Sequence, residues 1–317
     1  MTDQRILVTG GAGFIGSHLV RRLLVDGHEL HVLHRPQGDV SRIIDLVPAV
    51  RLWACDLTDE AALAVVLNAA QPEVIYHLAG DTNLRHVDSA LIGVTNSIER
   101  NVRASINLFV AAQSYCLNLK SLLRLGGLEE YGRGSVPYIE SQREQPVSPY
   151  SASQVAVTHY LQMLAPYLRY RAVTVRPALI YGPAQSTQFF IPALIEYCLQ
   201  GKDFSMSSGR QGRDLLYIDD LIDALIRLRE SELPGGEIIN IGSGREYVMA
   251  DVASTIIQKM GSDIRLLKTV PARTTEIEHL YCSTDKASVL LGWHPTVDLE
   301  EGLARTIAWF RQRLVQA

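Results

Sequence analysis

The stretch Arg5-Ile6-Leu7-Val8-Thr9-Gly10-Gly11-Ala12-Gly13-Phe14-Ile15-Gly16 decides how the rest of the chain is read. A short apolar, β-branched run reads as a strand, and it ends in a glycine-rich turn. From Phe14 to about Asp26 the apolar residues then recur at helical spacing, and Leu30 to His34 returns to strand character. The result is a βαβ unit. Its turn satisfies both Gly-x-x-Gly-x-x-Gly (Gly10, Gly13, Gly16) and Gly-x-Gly-x-x-Gly (Gly11, Gly13, Gly16). Such a turn lets backbone N–H groups, including those of Phe14 and Ile15, approach a pyrophosphate. The helix N-terminus adds the positive end of its dipole, and the last glycine lets helix and strand pack closely.

Working outward, the alternation continues through Arg51 to Cys55 (strand), Glu60 to Ala70 (helix), Val74 to His77 (strand), about Ser97 to Ser114 (helix) and Ser121 to Leu125 (strand). After a polar, proline-containing stretch from Gly132 to Pro149, a helix is expected from Tyr150 toward Pro166, then a strand from Arg171 to Val175. This rhythm implies an α/β protein with a Rossmann-type doubly wound parallel sheet, helices on both faces and a smaller C-terminal α/β substrate lobe. Residues 1–176 are expected to form the dinucleotide-binding domain, with 213–240 threaded back into it. Residues 177–212 and 241–317, richer in Gly and Pro punctuation, are expected to form the smaller lobe.

Composition narrows the function. The 317 residues are 47% hydrophobic and 20% charged, enough to bury a large core, and 34 acidic against 30 basic residues give a net charge of −4. No block of positive charge is available for a phosphate backbone, so nucleic acid is not an expected partner. Apolar runs fall short of the roughly 20 residues that span a bilayer, and no secretory leader is recognised, so a membrane is not expected and a cytoplasmic location is. Cys55, Cys116, Cys198 and Cys282 lack both disulfide and zinc spacing, and no metal is expected.

Cofactor choice turns on the end of the second strand. NAD-selective sites place an acidic residue there, about 20 positions past the glycines, on the ribose 2′-hydroxyl. This chain has His34 and Arg35 instead, and a cation there would pair with a 2′-phosphate, so NADP is favoured over NAD. Alternatively, Arg35 faces solvent and Asp39 serves the ribose. Asp56, beside Leu57, suits an adenine-edge contact or a cap on the next helix.

Together these features resemble the extended short-chain dehydrogenase/reductase family, the nucleotide-sugar epimerases, dehydratases and reductases. The resemblance spans nearly the whole chain. Besides the glycine turn and Asp56-Leu57, it rests on His77-Leu78-Ala79-Gly80, Asn101, Tyr131-Gly132, Pro149-Tyr150-Ser151-Ala152-Ser153, Arg176-Pro177, Tyr181-Gly182-Pro183, Arg213-Asp214, Tyr217-Ile218-Asp219-Asp220 and Leu291-Gly292-Trp293. The resemblance implies a dinucleotide site that includes Leu78, Ala79, Gly80 and Asn101, with Tyr150 as acid/base.

In that family a lysine four residues after the tyrosine stabilises tyrosinate, lowering a pKa ordinarily about 10. This chain carries Gln154 there, which can hydrogen-bond ribose hydroxyls but supplies no charge. For conventional hydride-transfer chemistry, restoring lysine is therefore expected to raise activity by lowering the pKa of Tyr150; for a site redirected to non-redox chemistry, activity is expected to stay flat or fall. Four residues before the Tyr-Gly pair, where relatives have Ser or Thr against the reacting carbonyl, stands Gly127. Glu129 falls on the glutamate position of the family's dehydratases, while their neighbouring acid is replaced by Leu128; Glu129 and Glu130 could equally be salt-bridged residues beside a turn.

The resemblance also folds Arg176, Tyr181, Arg210 and Arg213 over the nucleotide-sugar side of the cleft, where a guanidinium fork suits a diphosphate. A frequent family asparagine ahead of Tyr-Gly-Pro is Leu179 here. Among His77, His86, His159 and His279, His77 is expected to be a packed imidazole beneath the nicotinamide. Apolar residues in excess of one stripe, around Asn101 to Val110 and Val155 to Leu164, and the family's habit point to a homodimer. Three functions fit: an NAD(P)-dependent epimerase, dehydratase or ketoreductase on a nucleotide-activated sugar or similar polar small molecule, with Tyr150 as acid/base; a non-redox lyase or isomerase using Tyr150, Tyr131 or Glu129; and a dinucleotide-binding sensor or pseudoenzyme.

Overall fold

In a computed structural model, residues 3–82, 90–271 and 276–316 are described. The chain begins with β1 (Arg5–Thr9), α1 (Phe14–Val25), β2 (Glu29–His34), β3 (Arg51–Ala54), α2 (Glu60–Ala70) and β4 (Val74–His77). It continues through α3 (Ala90–Ser97), a π-helical turn (Ile98–Arg103), α4 (Ala104–Tyr115), β5 (Ser121–Leu125), α5 (Pro149–Leu164) and β6 (Arg171–Pro177). Thereafter come β7 (Leu179–Tyr181), α6 (Phe190–Gln200), β8 (Phe204–Ser205), β9 (Gly212–Arg213), β10 (Leu215–Tyr217), α7 (Ile218–Glu230) and β11 (Ile238–Ile241). The last elements are β12 (Tyr247–Val248), α8 (Met249–Met260), β13 (Leu266–Leu267), β14 (His279–Leu280), α9 (Asp285–Leu291) and α10 (Leu299–Gln316).

Seven strands form one parallel sheet in the order β11-β6-β5-β4-β1-β2-β3. Alternation along β1 builds the two halves of the core. Ile6 and Val8 face one cluster with Leu19, Val20 and the α7 residues Leu221 and Leu225, while Leu7 faces the other with Leu67, Leu108 and Phe109. Both faces are thus dry, which explains why the strands read as continuous apolar runs. The strand order reverses between β1 and β4, and open α/β sheets bind ligands outside the strand ends at such a switch point.

Among the described residues beyond β6, only β11 joins the main sheet, and α7 packs back on α1. The remaining strands form small sheets, β10-β7, β12-β9-β14 and β13-β8. Two buried carboxylates hold this part in place. Asp214 accepts from Ser243 N and Oγ at 2.7 and 2.6 Å, and Asp220 accepts from the backbone N–H groups of Thr296 and Val297 at 2.9 and 3.1 Å. The helix expected over Ser97 to Ser114 is divided: α3 ends at Ser97, the backbone widens into the π turn, and α4 follows. Single π turns inside helices recur at functional positions, and this one carries Asn101. No helix among the described residues is long and apolar enough to cross a membrane.

Candidate active site

Two cavities meet at the glycine turn. One, about 640 Å³, is bordered by Gly10, Gly13, His34, Arg35, Asp56, Leu57 and Asp81. The other, about 400 Å³, runs from Gly10, Phe14 and Ile15 past Gly80, Gly127, Glu129, Tyr150 and Gln154 to Leu179, Tyr181 and Gln185. Leu78 and Ala79 border both.

The turn leaves the space a pyrophosphate needs. Gly10 holds a φ of +71°, and a Cβ there would lie 2.8 Å from the backbone nitrogen of Ala79; a Cβ on Gly16 would lie 2.6 Å from Gly11 Cα. Only glycine lets β1, the loop after β4 and α1 approach this closely. The N-cap of α1 is Gly13, with no capping side chain, so the first-turn N–H groups stay available to an anion. These features fit a dinucleotide. At the far end, Asp56 accepts from Thr58 N and Oγ1 at 2.9 and 2.7 Å. Asp59, and not Asp56, caps α2, accepting from Ala62 N at 3.0 Å. Asp39 accepts from Ser41 N and borders neither cavity. Arg100 pairs with Asp81 at 2.7 Å, and Arg35 approaches the same carboxylate at 4.0 Å. Both guanidinium groups are half exposed at the rim of the larger cavity.

Beneath the cleft, His77 is buried. Its Nδ1 meets Thr9 Oγ1 at 2.8 Å and its Nε2 meets Ser105 Oγ at 2.9 Å. Burial and the charge of Arg124 push its pKa down to about 3, so it stays neutral and structural. His159 and His279 pair with Glu144 and Glu246 away from the reacting cavity, and His86 lies outside the described residues. Asn101 Oδ1 accepts from Asp81 N at 2.8 Å while its Nδ2 donates to Ser153 at 3.0 Å, tying the π turn to α5.

Tyr150 and Gln154 lie one turn apart on α5, which is capped by Ser148, whose hydroxyl accepts from Ser151 N. The turn after β5 brings Gly127 and Glu129 to the same cavity. A Cβ on Gly127 would sit 2.5 Å from Glu129 Oε2, so the carboxylate occupies the volume that a side chain at Gly127 would need. Tyr131 is fully buried and donates to Asn240 at 2.8 Å. Burial raises its pKa, leaving it a packed phenol below the cavity.

The expected diphosphate arginines lie elsewhere. Arg176 is 0% exposed and bonds Glu130 at 2.7 and 2.9 Å and Glu144 at 2.6 Å, so it faces the interior and not the cleft. The family resemblance placed it on the cleft, and its partners, distant along the chain, were not visible in the sequence. Arg213 donates to the carbonyls of Gly212 and Ile277 and to Glu276, and Arg210 is exposed; neither borders the cavities. Tyr181 borders the smaller cavity with its hydroxyl against Gly302. Among the described lining residues of that cavity the one guanidinium is Arg42, which donates to Ala184 O at 3.1 Å.

Sequence reasoning missed three polar groups. Gln185 borders the smaller cavity, donates to Ile180 O at 2.8 Å, and its buried Oε1 has no partner among the described residues. Arg124 and Thr158, both buried, lie against Gln154 and Glu130. A charged residue inside the apolar strand Ser121–Leu125 was the available signal for Arg124.

The profile of the NAD dependent epimerase/dehydratase family matches residues 6–242. The chain belongs to this family. A UDP-glucose 4-epimerase from Mycolicibacterium smegmatis is 30% identical over 98% of the chain and 99% of its own length. Among solved structures, a UDP-glucose 4-epimerase from Thermotoga maritima with UDP-glucose superposes with a TM-score of 0.87 at 28% identity, covering 98% of this chain and 99% of the other. A dTDP-glucose 4,6-dehydratase from Streptomyces venezuelae with NAD bound gives 0.88 at 28%, covering 98% of each. Family membership makes this an extended short-chain dehydrogenase/reductase of the nucleotide-sugar epimerase/dehydratase kind, and hence an enzyme.

Proposed function

We propose that this family member acts on a nucleotide-activated sugar with Tyr150 as acid/base, and that it uses NADP in preference to NAD. One observation carries the first part: Tyr150, Gln154 and Glu129 converge on a cavity continuous with the glycine turn. The bound dinucleotide would supply hydride exchange at the nicotinamide. The chain's own residues then have separable tasks. Tyr150 accepts or returns the proton of a sugar hydroxyl, and Gly10 to Gly16 hold the pyrophosphate through backbone N–H groups. Gln185 Oε1 offers an acceptor to a substrate hydroxyl, which would satisfy a buried oxygen that has no partner among the described residues. Mixing the protein with UDP- and dTDP-linked hexoses and separating the products tests the reading, with Tyr150→Phe as control. Full turnover in Tyr150→Phe removes Tyr150 from the mechanism.

The position of Glu129 favours a second reading. Its carboxylate fills the room opened by Gly127, which suits removal of a carbon-bound proton, as elimination or isomerisation requires. Turnover in deuterium oxide separates the two: carbon-bound deuterium that disappears in Glu129→Gln supports this chemistry, and product without it supports hydroxyl proton transfer alone.

The preference for NADP rests on Arg35 and Arg100 at the rim of the larger cavity, where no acidic residue ends β2. Losing a charge-assisted phosphate contact costs about 1.5–3 kcal/mol, so Arg35→Ala should weaken NADP at least tenfold and leave NAD nearly unchanged. Equal affinities in the parent protein end the argument. The reading includes a homodimer, because Ile98, Val110, Tyr160 and Met163 remain exposed on the π turn, α4 and α5. Sedimentation as a single 35.1 kDa species across micromolar concentrations would exclude it.

A further inference from the structure

Arg124 sits where packing alone gives no reason for a charge. It occupies the fourth position of a central strand, its side chain is 2% exposed, and the flanking strand residues are apolar. A guanidinium there needs compensating partners, since removing it from water is costly. Its partners lie on α5. Nη2 donates to Gln154 O at 3.1 Å and to the Gln154 side-chain Oε1, and Nη1 donates to Thr158 Oγ1 at 2.7 Å. The contact to Glu130 is longer, 3.4 Å, because that carboxylate is mainly engaged by Arg176 and Thr158.

The contact sets the orientation of Gln154. With Oε1 accepting from a cation, the amide must turn Nε2 outward, because the opposite orientation would set donor against donor. Nε2 accordingly lies toward the loop after β4: a Cβ on Gly80 would be 4.0 Å from it and 3.9 Å from Asn101 Oδ1. Gly80, Gln154 and Tyr150 border one cavity.

We propose that Arg124 and Gln154 divide between them the two tasks that a single lysine performs in relatives: Arg124 provides the positive charge that favours the Tyr150 phenolate, and Gln154 presents the hydrogen-bond donor to the cofactor ribose. Arg124 is a positioning residue, buried behind Gln154, and its role rests on the reading of Tyr150 as acid/base. The electrostatics have the required sign. Burial presses the Arg124 pKa down, while the charges of Glu130 and of the Tyr150 phenolate press it up, so phenolate and guanidinium stabilise each other.

Other charged and titratable groups on elements packed against α5 are mostly committed. Arg100 pairs with Asp81, Arg103 with Glu99, and Arg176 with Glu130 and Glu144, while Arg171 donates to Ser231 and to backbone carbonyls. Tyr115 and Tyr167 are exposed, as are His159 and Tyr160 on α5 itself. Glu129 shares the cavity with Tyr150, and its charge opposes that of Arg124.

The test titrates tyrosinate absorbance in the cofactor-free protein, each variant against its own Tyr150→Phe counterpart, so that Tyr150 alone is read. Tyr150 in the parent should titrate below the ordinary value of about 10. Arg124→Met should raise the midpoint by about one to two pH units, and adding Gln154→Lys to it should bring the midpoint back. Gln154→Met should leave the midpoint in place and weaken dinucleotide binding by roughly fivefold to tenfold. A parent midpoint at or above about 10, or a folded Arg124→Met variant with an unmoved midpoint, overturns the proposal; the first holds even if Arg124→Met does not fold. Full activity in Tyr150→Phe alongside the expected shifts would instead refute the acid/base reading and leave the charge assignment standing.

Discussion

The two ends of the cleft obey different rules. At the glycine turn the geometry is enforced by backbone: Gly10 and Gly16 are set by what a Cβ would strike, so the residues that matter stand together in sequence. At the tyrosine end the geometry is enforced by charge, and the participants are scattered. Arg124, Glu130, Glu144, Thr158 and Arg176 come from β5, α5, β6 and the loops between and bond one another in the interior. A motif describes the first kind of site well, because steric limits act on neighbours. It describes the second poorly, since a buried ion pair needs a partner and not a fixed place in the sequence.

The largest loss is expected at Glu130. Glu130→Gln leaves Arg124 and Arg176 facing each other without their shared anion, and removing one member of a buried ionic network costs about 3–5 kcal/mol. Denaturant unfolding should show that loss; a change below about 1 kcal/mol, as for an exposed pair, would mean that water reaches the network. Next, Gly16→Ala at the other end drives a methyl into the turn and should approach the upper end of the roughly 1–3 kcal/mol range of overpacking, with loss of dinucleotide binding in calorimetry. Retained binding would show that α1 can slide on β1.

A pH-graded effect is expected at His77, beneath the cleft. Its folded pKa of about 3 lies below the unfolded value of 6.5, so between these the unfolded chain holds the extra proton. Stability therefore rises with pH through that window, by up to about 1.4 kcal/mol per unit for this group, and the gain is complete above about 6.5. His18, His28 and His31, also lowered by burial, act in the same direction. His77→Gln should flatten, but not abolish, the slope of unfolding free energy against pH; an unchanged slope would place water at His77. The smallest effect belongs to Asp59→Ala, which removes the α2 cap far from Tyr150: about 1 kcal/mol of stability, with kcat unchanged. A fall in kcat would show that α2 carries strain to the site.

Much of the fold was legible because each parallel strand is a contiguous apolar run and each helix an amphipathic one, as with β1, α1, α2 and β5. The division of the long helix at Ile98–Arg103 was not, since a π turn leaves the composition of a helix unchanged. The glycine turn was equally open to reading. Arg176 was not: its motif placed it on the cleft, whereas its partners Glu130 and Glu144 lie 46 and 32 residues away in the chain. Nor could the exchange of lysine for Gln154 be understood without Arg124, which stands 30 residues earlier on a different element.

The ionic cluster of buried Arg124, Glu130 and Arg176 with the partly buried Glu144 also constrains how this site can change over generations. Two positive and two negative side chains sum to zero, so any lone replacement that alters charge leaves an odd ion out of water. If Arg124 supplies the charge, lysine introduced at position 154 by itself would stand close to the Arg124 guanidinium, and activity would be expected to stay flat or fall instead of rising. On the proposed division of roles, a change between glutamine and lysine at 154 is coupled to the residue at 124. The order of the two changes matters: losing the arginine first leaves a gap in charge, whereas gaining the lysine first creates a collision.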